Sequence, residues 1–411
     1  EITPMESGER LLIVRLAGEF TIKSNRTQRT FRRQLAANLR DALDQAGIDY
    51  TLQMHYQRVL VRTAAPEAID ALSRVFGVSG ISVVEAVVPA DLETIVEAGE
   101  RLFAERVRGK TYAVRARRTG RHPFRSRDVM IQLGAALNRD AKVDLDDPDV
   151  TVHVEIHDDE AWLFTDQRPG PGGLPLGVEG SAVALLSGGF DSPVAAWLML
   201  KRGVILDYVF CNLGGDAYER AVLQVGKVLA DQWSYGNRPR LHVVDFGPAL
   251  DELRAKVRQS HWQVVLKRLM YRAASAIAEE RNAQAIVTGE AIGQVSSQTL
   301  QNLRAIESVT DFPVIRPVVG LDKAEIITRA ERIGTADISA KVKEYCAIAP
   351  GKPVTAASVQ AVDEEEAKMD LAILDQAIRD RKVLDLRALE PADLVAPYIF
   401  TDEVPDGAVV L

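Results

Sequence analysis

The sequence predicts a multidomain protein, α+β in its first part and α/β with a parallel sheet thereafter. Its 411 residues exceed what one ordinary core organises, so several domains are expected. Up to about residue 165, short strands and amphipathic helices alternate in the manner of small α+β domains. From residue 182 the strands become near-continuous apolar runs separated by helices, the pattern of a parallel sheet covered on both faces. Between the two patterns, Pro169-Gly170-Pro171-Gly172-Gly173 reads as a hinge.

Residues 11–16 read as a strand, followed by Gly18-Glu19-Phe20 and a polar turn. Phe31, Leu35, Leu39 and Leu43 recur at fourfold spacing, which predicts an amphipathic helix over residues 29–43. Residues 56–63 and 81–88 read as strands with a helix over 65–76 between them. A helix over 92–107, a strand over 111–117 and a helix over 127–138 follow. Residues 150–156 and 161–165 then pair across Asp158-Asp159-Glu160. Beyond the hinge the expected order is strand 182–186, helix 193–200, strand 204–210, helix 217–232, strand 241–245, helix 262–279 and strand 285–288. The crevice past the C-terminal strand ends is the default ligand site of such a sheet. After Pro353 the chain turns polar and acidic; residues 364–378 read as a helix and 382–386 as a short strand.

Charge is unevenly distributed. Residues 361–411 hold 13 acidic and 5 basic side chains and so account for the whole net charge of -8. In the neutral remainder, residues 10–40 carry 8 Lys/Arg against one acid, and residues 101–130 carry 10 against two. A solvated face explains either run alone, but local fields decide where a polyanion docks, so the pair points to nucleic acid. Two cysteines, Cys211 and Cys346, give no disulfide framework and no metal cluster. No apolar run approaches a membrane span, and the opening residues lack the pattern of a signal peptide. A cytoplasmic protein with no membrane association is the expectation.

Ser187-Gly188-Gly189-Phe190-Asp191-Ser192 follows an apolar strand and opens a helix. The glycines permit close approach to phosphate, and a helix N-terminus supplies backbone donors. Ser187 and Ser192 add hydroxyls. Asp191 would repel bare phosphate, which suggests Mg²⁺ bridging or orientation of the loop. An ordinary strand-turn-helix junction favours the same residue types. The Gly-Lys-Ser/Thr ending of a Walker A loop is absent.

This loop resembles the PP-loop of ATP pyrophosphatases, and the chain as a whole resembles the tRNA 4-thiouridine synthetase (ThiI) family. The resemblance extends to about residue 378 and rests on residues 18–24, the loop itself, Phe210-Cys211-Asn212-Leu213-Gly214-Gly215, residues 264–268 and above all residues 288–303. It implies a ferredoxin-like domain over residues 1–63, a THUMP RNA-binding domain over 64–168, a linker over 169–179 and a PP-loop domain of the adenine nucleotide alpha-hydrolase-like fold over 180–360. An acidic extension over 361–411 is expected either to pack on the PP-loop domain or to mark a truncated rhodanese boundary.

The implied activity is ATP-dependent sulfur transfer to C4 of the uridine at position 8 of tRNA, through an adenylate, with a further role in thiamine thiazole synthesis. The implied cofactors are ATP and Mg²⁺. By the same resemblance Asp191, Lys323 and Cys346 are catalytic, with Cys346 accepting sulfur. Leu185, Leu186, Ser187, Gly188, Gly189, Ser192, Lys267, Gly289 and Gln298 hold the nucleotide, and no resident metal-ligating residue set is expected. Arg117, Arg118, Arg121, Arg125 and Arg127 are expected on RNA phosphates, and Lys23, Arg26, Arg29, Arg32 and Arg33 extend the track. Sulfur would come from a cysteine desulfurase persulfide donor or a separate rhodanese-like carrier, and a homodimer is admitted. Two other readings stand beside this one: a different PP-loop tRNA-modifying enzyme, and a noncatalytic tRNA-binding protein.

Overall fold

The computed structural model describes residues 8–20, 23–55, 58–165, 167–213, 216–342 and 352–394. The chain divides into two compact units, Glu1–Gln28 with Leu39–Gly173, and Arg29–Asn38 with Leu174–Leu411.

The first unit contains two sheets. Strands β1 (Arg10–Leu16), β2 (Thr51–His55), β3 (Arg58–Thr63) and β4 (Val78–Val84), with helices α1 (Asn25–Gln45, of which Arg29–Asn38 counts with the second unit) and α2 (Ala68–Leu72), follow the order β-α-β-β-α-β. All pair antiparallel in the spatial order β4-β1-β3-β2, which is the ferredoxin-like arrangement. The second sheet is built from β5 (Ala86–Pro89), β6 (Thr111–Thr119), β7 (Lys142–Val143), β8 (Val150–His157) and β9 (Glu160–Phe164), with helices α3 (Leu92–Val107) and α4 (Ser126–Leu137). Its order is β5-β9-β8-β6-β7, with β6 parallel to β8. Phe103, Tyr112, Val129, Leu133 and Val154 form its core.

Two expectations need correction here. The strand expected over 81–88 is two strands in different sheets, because the chain changes sheets at Glu85. The N–H of Glu85 donates to the Leu163 carbonyl (2.9 Å), and its carboxylate holds Arg106 at 2.7 Å. Uninterrupted apolar flanks on both sides hide the change. A domain boundary after residue 63 would therefore cut β4 from its own sheet. Nor is the segment 169–179 a free linker. Arg168 and Pro169 form β10, an edge strand paired with β4, and the Gly170 and Gly172 N–H groups donate to Ser79 and Val78 carbonyls. A Cβ on Gly170 would lie 2.3 Å from the Val78 oxygen, so only glycine lets the chain pass this close. Past Gly173, Leu174 and Leu176 are buried.

The second unit carries a six-stranded sheet of order β15-β14-β11-β12-β13-β16. Strands β11 (Ser181–Leu185), β12 (Ile205–Asn212), β13 (Arg240–Asp245), β14 (Ile286–Val287) and β15 (Val314–Ile315) are parallel. Only β16 (Lys382–Asp385) runs antiparallel, against β13. The connecting helices are α5 (Asp191–Lys201), α6 (Asp216–Trp233), α7 (Gly247–Lys256), α8 (Trp262–Glu280), α9 (Leu300–Glu307), α10 (Lys323–Ile333) and α11 (Ala336–Ser339). Helix α8 lies in the core, burying Val264, Val265, Leu269, Tyr271 and Ile277.

The acidic tail is part of this unit as far as residue 394. The single helix expected over 364–378 is broken into α12 (Val359–Glu366) and α13 (Ala372–Arg379), and at the turn between them the Asp370 carboxylate accepts from the Ala372 N–H (3.0 Å). Val362, Leu374 and Ile378 join the same core as α8. Among the described residues, no helix is long and apolar enough to cross a membrane.

Candidate active site at the PP-loop

Strand β11 ends at Leu185 and feeds the glycine loop, which is folded around its two serines. The Ser187 N–H donates to the Ser192 Oγ (2.8 Å), and the Ser187 and Ser192 hydroxyls lie 3.0 Å apart. The Gly189 N–H reaches the Ser187 Oγ at 3.4 Å. Loop and α5 N-terminus together form an anion-receiving turn. Leu186 is buried and its N–H is taken by the Val209 carbonyl (2.9 Å), while Leu185 is half-buried at the strand end.

Asp191 opens α5, and two distant segments converge on it. Lys323, the first residue of α10, brings its Nζ to 3.3 Å from Oδ1 and 3.5 Å from Oδ2. Its helix start is fixed by a capping box, in which the Asp322 carboxylate accepts from the Glu325 N–H and the Glu325 carboxylate from the Asp322 N–H. The same ammonium lies over the Phe190 ring, 5.3 Å from its centre. The side chains are 36% and 21% exposed. At such exposure an ion pair adds little stability, so its placement at the loop is better explained by chemistry. Gln294 donates from Nε2 to Asp191 Oδ2 at 3.2 Å.

Gly289 follows β14 and runs against the loop from the other side. A Cβ there would lie 2.6 Å from the Ser192 N and 2.7 Å from its Cα, so glycine is required by space. Directly behind it, Glu290 is buried among partners: the Tyr271 hydroxyl (2.6 Å), the Thr288 hydroxyl (3.1 Å) and the Arg316 Nε (2.9 Å) all donate to its Oε2. Arg316 also reaches Glu307 at 2.8 Å. This network fixes the strand end that carries Gly289. Gln298 is 9% exposed with an Oε1 that has no hydrogen-bond partner among the described residues. Lys267 is half-buried on α8 and makes no ion pair among the described residues. Its charge is felt by Cys211 on β12, whose thiol burial nevertheless pushes well above the ordinary range. That cysteine is an inert core residue.

Cys346 lies outside the described residues. The segments on either side of it are tied to the site. Ser339 Oγ donates to the Gly189 carbonyl (3.1 Å), and Val342 lies 3.1 Å from where a Cβ on Gly188 would sit. On the far side, fully buried Asn302 donates from Nδ2 to the Ser296 and Val354 carbonyls and accepts from the Ala357 N–H, all at 2.9 Å. Thr288, Glu290, Gln294, Ser296 and Asn302 fall in the segment that carried the resemblance, and Phe190 falls in the glycine loop, but none of them was singled out as a site residue. Ser339, Tyr271 and Arg316 lie outside those segments, and their place at the site is a product of the fold.

In the first unit, Arg117 and Arg118 stand on β6, Arg121 follows it, Arg125 caps α4 and Arg127 lies in its first turn. All five are exposed, and none forms an ion pair among the described residues. On α1, Arg26, Arg29 and Arg33 are exposed at helical spacing, whereas Arg32 on the same helix and Lys23 just before it are half-buried.

Residues 177–371 match the family described as thiamine biosynthesis protein (ThiI), residues 89–166 the THUMP domain and residues 11–82 the ThiI ferredoxin-like domain. A tRNA sulfurtransferase of Pyrobaculum aerophilum is 38% identical over 408 residues, covering 98% of this chain and 83% of that protein. Another, from Yersinia enterocolitica, is 39% identical over 409 residues, covering 97% and 85%. A crystal structure of a 4-thiouridine synthetase–RNA complex with bound ATP superposes with a TM-score of 0.81 at 32% identity, covering 91% of this chain and 99% of that one.

Proposed function

The chain belongs to the ThiI family of tRNA sulfurtransferases, and from that premise we propose how its residues divide the work of ATP-dependent 4-thiouridine synthesis. The observation that carries the assignment is the convergence of Asp191, Lys323 and Gly289 on one phosphate-receiving loop. The related structure with bound ATP and RNA supports both ligands for this chain.

ATP lies with its phosphates on residues 187–192, with Lys267 and Gln298 as further nucleotide contacts. The uridine O4 attacks the α-phosphorus, the bond to the pyrophosphate oxygen breaks, and Lys323 stabilises the charge that develops. Among the described residues no group of three or more His, Cys, Asp and Glu gathers as a metal site. Mg²⁺ ordinarily takes one or two carboxylates and completes its shell with water and phosphates, so the loop fits the ion through Asp191 and ATP. Bound there, it would neutralise phosphate charge. Adenylation turns O4 into a leaving group. The terminal sulfur of a Cys346 persulfide then forms the bond to C4 while AMP departs with the oxygen. A second thiol attacks Cys346, releases the thiolated base and leaves a disulfide. A cysteine desulfurase or a rhodanese-like carrier supplies the persulfide. The target is the uridine at position 8, and the same persulfide would serve thiazole formation.

Mass spectrometry of tRNA incubated with the protein, ATP, Mg²⁺, a cysteine desulfurase and cysteine is expected to show one oxygen-to-sulfur exchange at the target uridine. Pyrophosphate release without any exchange, given a competent donor, rules out the sulfur-transfer reading and leaves a different PP-loop modification.

The exposed arginines at β6 and the start of α4 bind RNA phosphates. Replacing Arg117, Arg118 and Arg121 together by alanine is expected to weaken tRNA binding and to flatten its salt dependence. The log–log slope should fall by about one unit for each phosphate that is no longer neutralised. ATP binding should be unchanged. Wild-type tRNA affinity in this variant would place the RNA elsewhere.

A further inference from the structure

We propose that Gln294 is a positioning residue that sets the orientation of the Asp191 carboxylate, a role that rests on the reading of Asp191 given above. Lys323 alone does not define that orientation. Its ammonium is a point charge on a flexible stem, nearly equidistant from the two oxygens at 3.3 and 3.5 Å. A planar amide that donates to one oxygen makes the distinction the lysine does not. Gln294 Nε2 selects Oδ2 at 3.2 Å and so distinguishes it from Oδ1, the oxygen slightly nearer the ammonium.

Gln294 is itself held for this purpose. Gly293, immediately before it, has φ +75° with open space around a would-be Cβ, so glycine here serves the left-handed turn. The turn is closed by the Gly293 N–H donating to the Gln298 carbonyl and the Gln298 N–H to the Val295 carbonyl, both 2.9 Å. The amide can point only one way, because reversing it would set its oxygen against the carboxylate. In that orientation its Oε1 is buried with no partner among the described residues. A buried acceptor without a donor is destabilising, and a leucine or methionine would fill the space without that penalty. Packing alone therefore gives no reason for an amide at this position. Holding a reacting carboxylate with the other end of the amide does, and the buried oxygen is then available to an N–H or O–H of the bound substrate.

The test uses Gln294→Leu and Gln294→Glu in the whole chain with tRNA thiolation as readout. The leucine variant removes the donor, and kcat is expected to fall about 10-fold to 10²-fold with the KM for ATP little changed. The glutamate variant keeps the shape but puts an acceptor where the donor stood, so it is expected to lose at least as much kcat. Wild-type kcat in the glutamate variant would reduce Gln294 to a packing role, and wild-type kcat in the leucine variant would remove any role. An activity-independent arm separates this inference from the assigned reaction. In crystal structures of the two proteins the Asp191 carboxylate should hold one orientation in the wild type and turn or split between orientations in Gln294→Leu. An unchanged, single carboxylate orientation in that variant overturns the inference even if thiolation is confirmed, while the absence of thiolation by the wild type counts against the reaction alone.

Discussion

Replacing Gly289 with alanine is expected to lower kcat/KM for tRNA thiolation by about 10²-fold, the scale of a roughly 1 Å displacement at a reacting centre. The added methyl would lie 2.6, 2.7 and 2.8 Å from the Ser192 N, the Ser192 Cα and the Asp191 carbonyl carbon. All three are backbone atoms of the phosphate-binding turn. Nothing at the end of a flexible side chain can yield, so either the turn or the strand end must move by nearly an ångström. The strand end is held by Glu290 with Tyr271, Thr288 and Arg316, so the turn is what gives. Asp191 moves with it, away from Lys323 and Gln294. Gly134→Ala on α4 is the internal control: nothing lies within 4 Å of where its methyl would sit, and turnover within a few-fold of the wild type is expected. Steady-state thiolation and ATP binding by both variants check the contrast. Wild-type turnover in Gly289→Ala would show that this loop does not carry the chemistry.

The contrast also shows what the sequence could reveal. The glycine loop was legible because a strand-turn-helix with Gly, Ser and Asp is local chemistry. Lys323 and Gly289 were reached through resemblance; no periodicity or spacing places a lysine 132 residues downstream beside Asp191. Most strands and helices followed from apolar periodicity, and they failed where a signal was missing. The hairpin strand Thr51–His55 exposes much of its surface and left no alternation to detect. The sheet change at Glu85 sits between two apolar runs that look like one. Gln294 was present in the segment that carried the resemblance, but its partner is a tertiary fact.

The acidic tail leads to the strongest stability prediction. Of its two expected fates, packing on the PP-loop domain is the one its described residues follow, and composition alone, with 13 acids and 5 bases, did not show what its charges would meet. In the fold several of its acids answer basic residues on α8 and just before it. Glu366 pairs with both Arg268 and Arg272, Asp363 with Arg268 at 2.6 Å, and Glu365 with Arg258 at 3.3 Å. The Arg268 and Glu366 side chains are each only 4% exposed, so water cannot screen a charge left alone there. Glu366→Ala is therefore expected to destabilise the second unit by about 3–5 kcal/mol, somewhat tempered by the remaining Asp363. Guanidine unfolding followed by helical circular dichroism measures it. The pair itself need not be a net stabiliser, because removing both charges from water opposes their attraction. Exchanging both partners, Arg268→Met with Glu366→Leu, should recover most of the loss. If the single and double variants are equally destabilised, the damage lies in lost packing and not in a stranded charge. Because α8 also carries Lys267, the single variant should weaken ATP binding as well, and the double variant should restore it. That joint recovery ties the acidic tail to the nucleotide site through one helix.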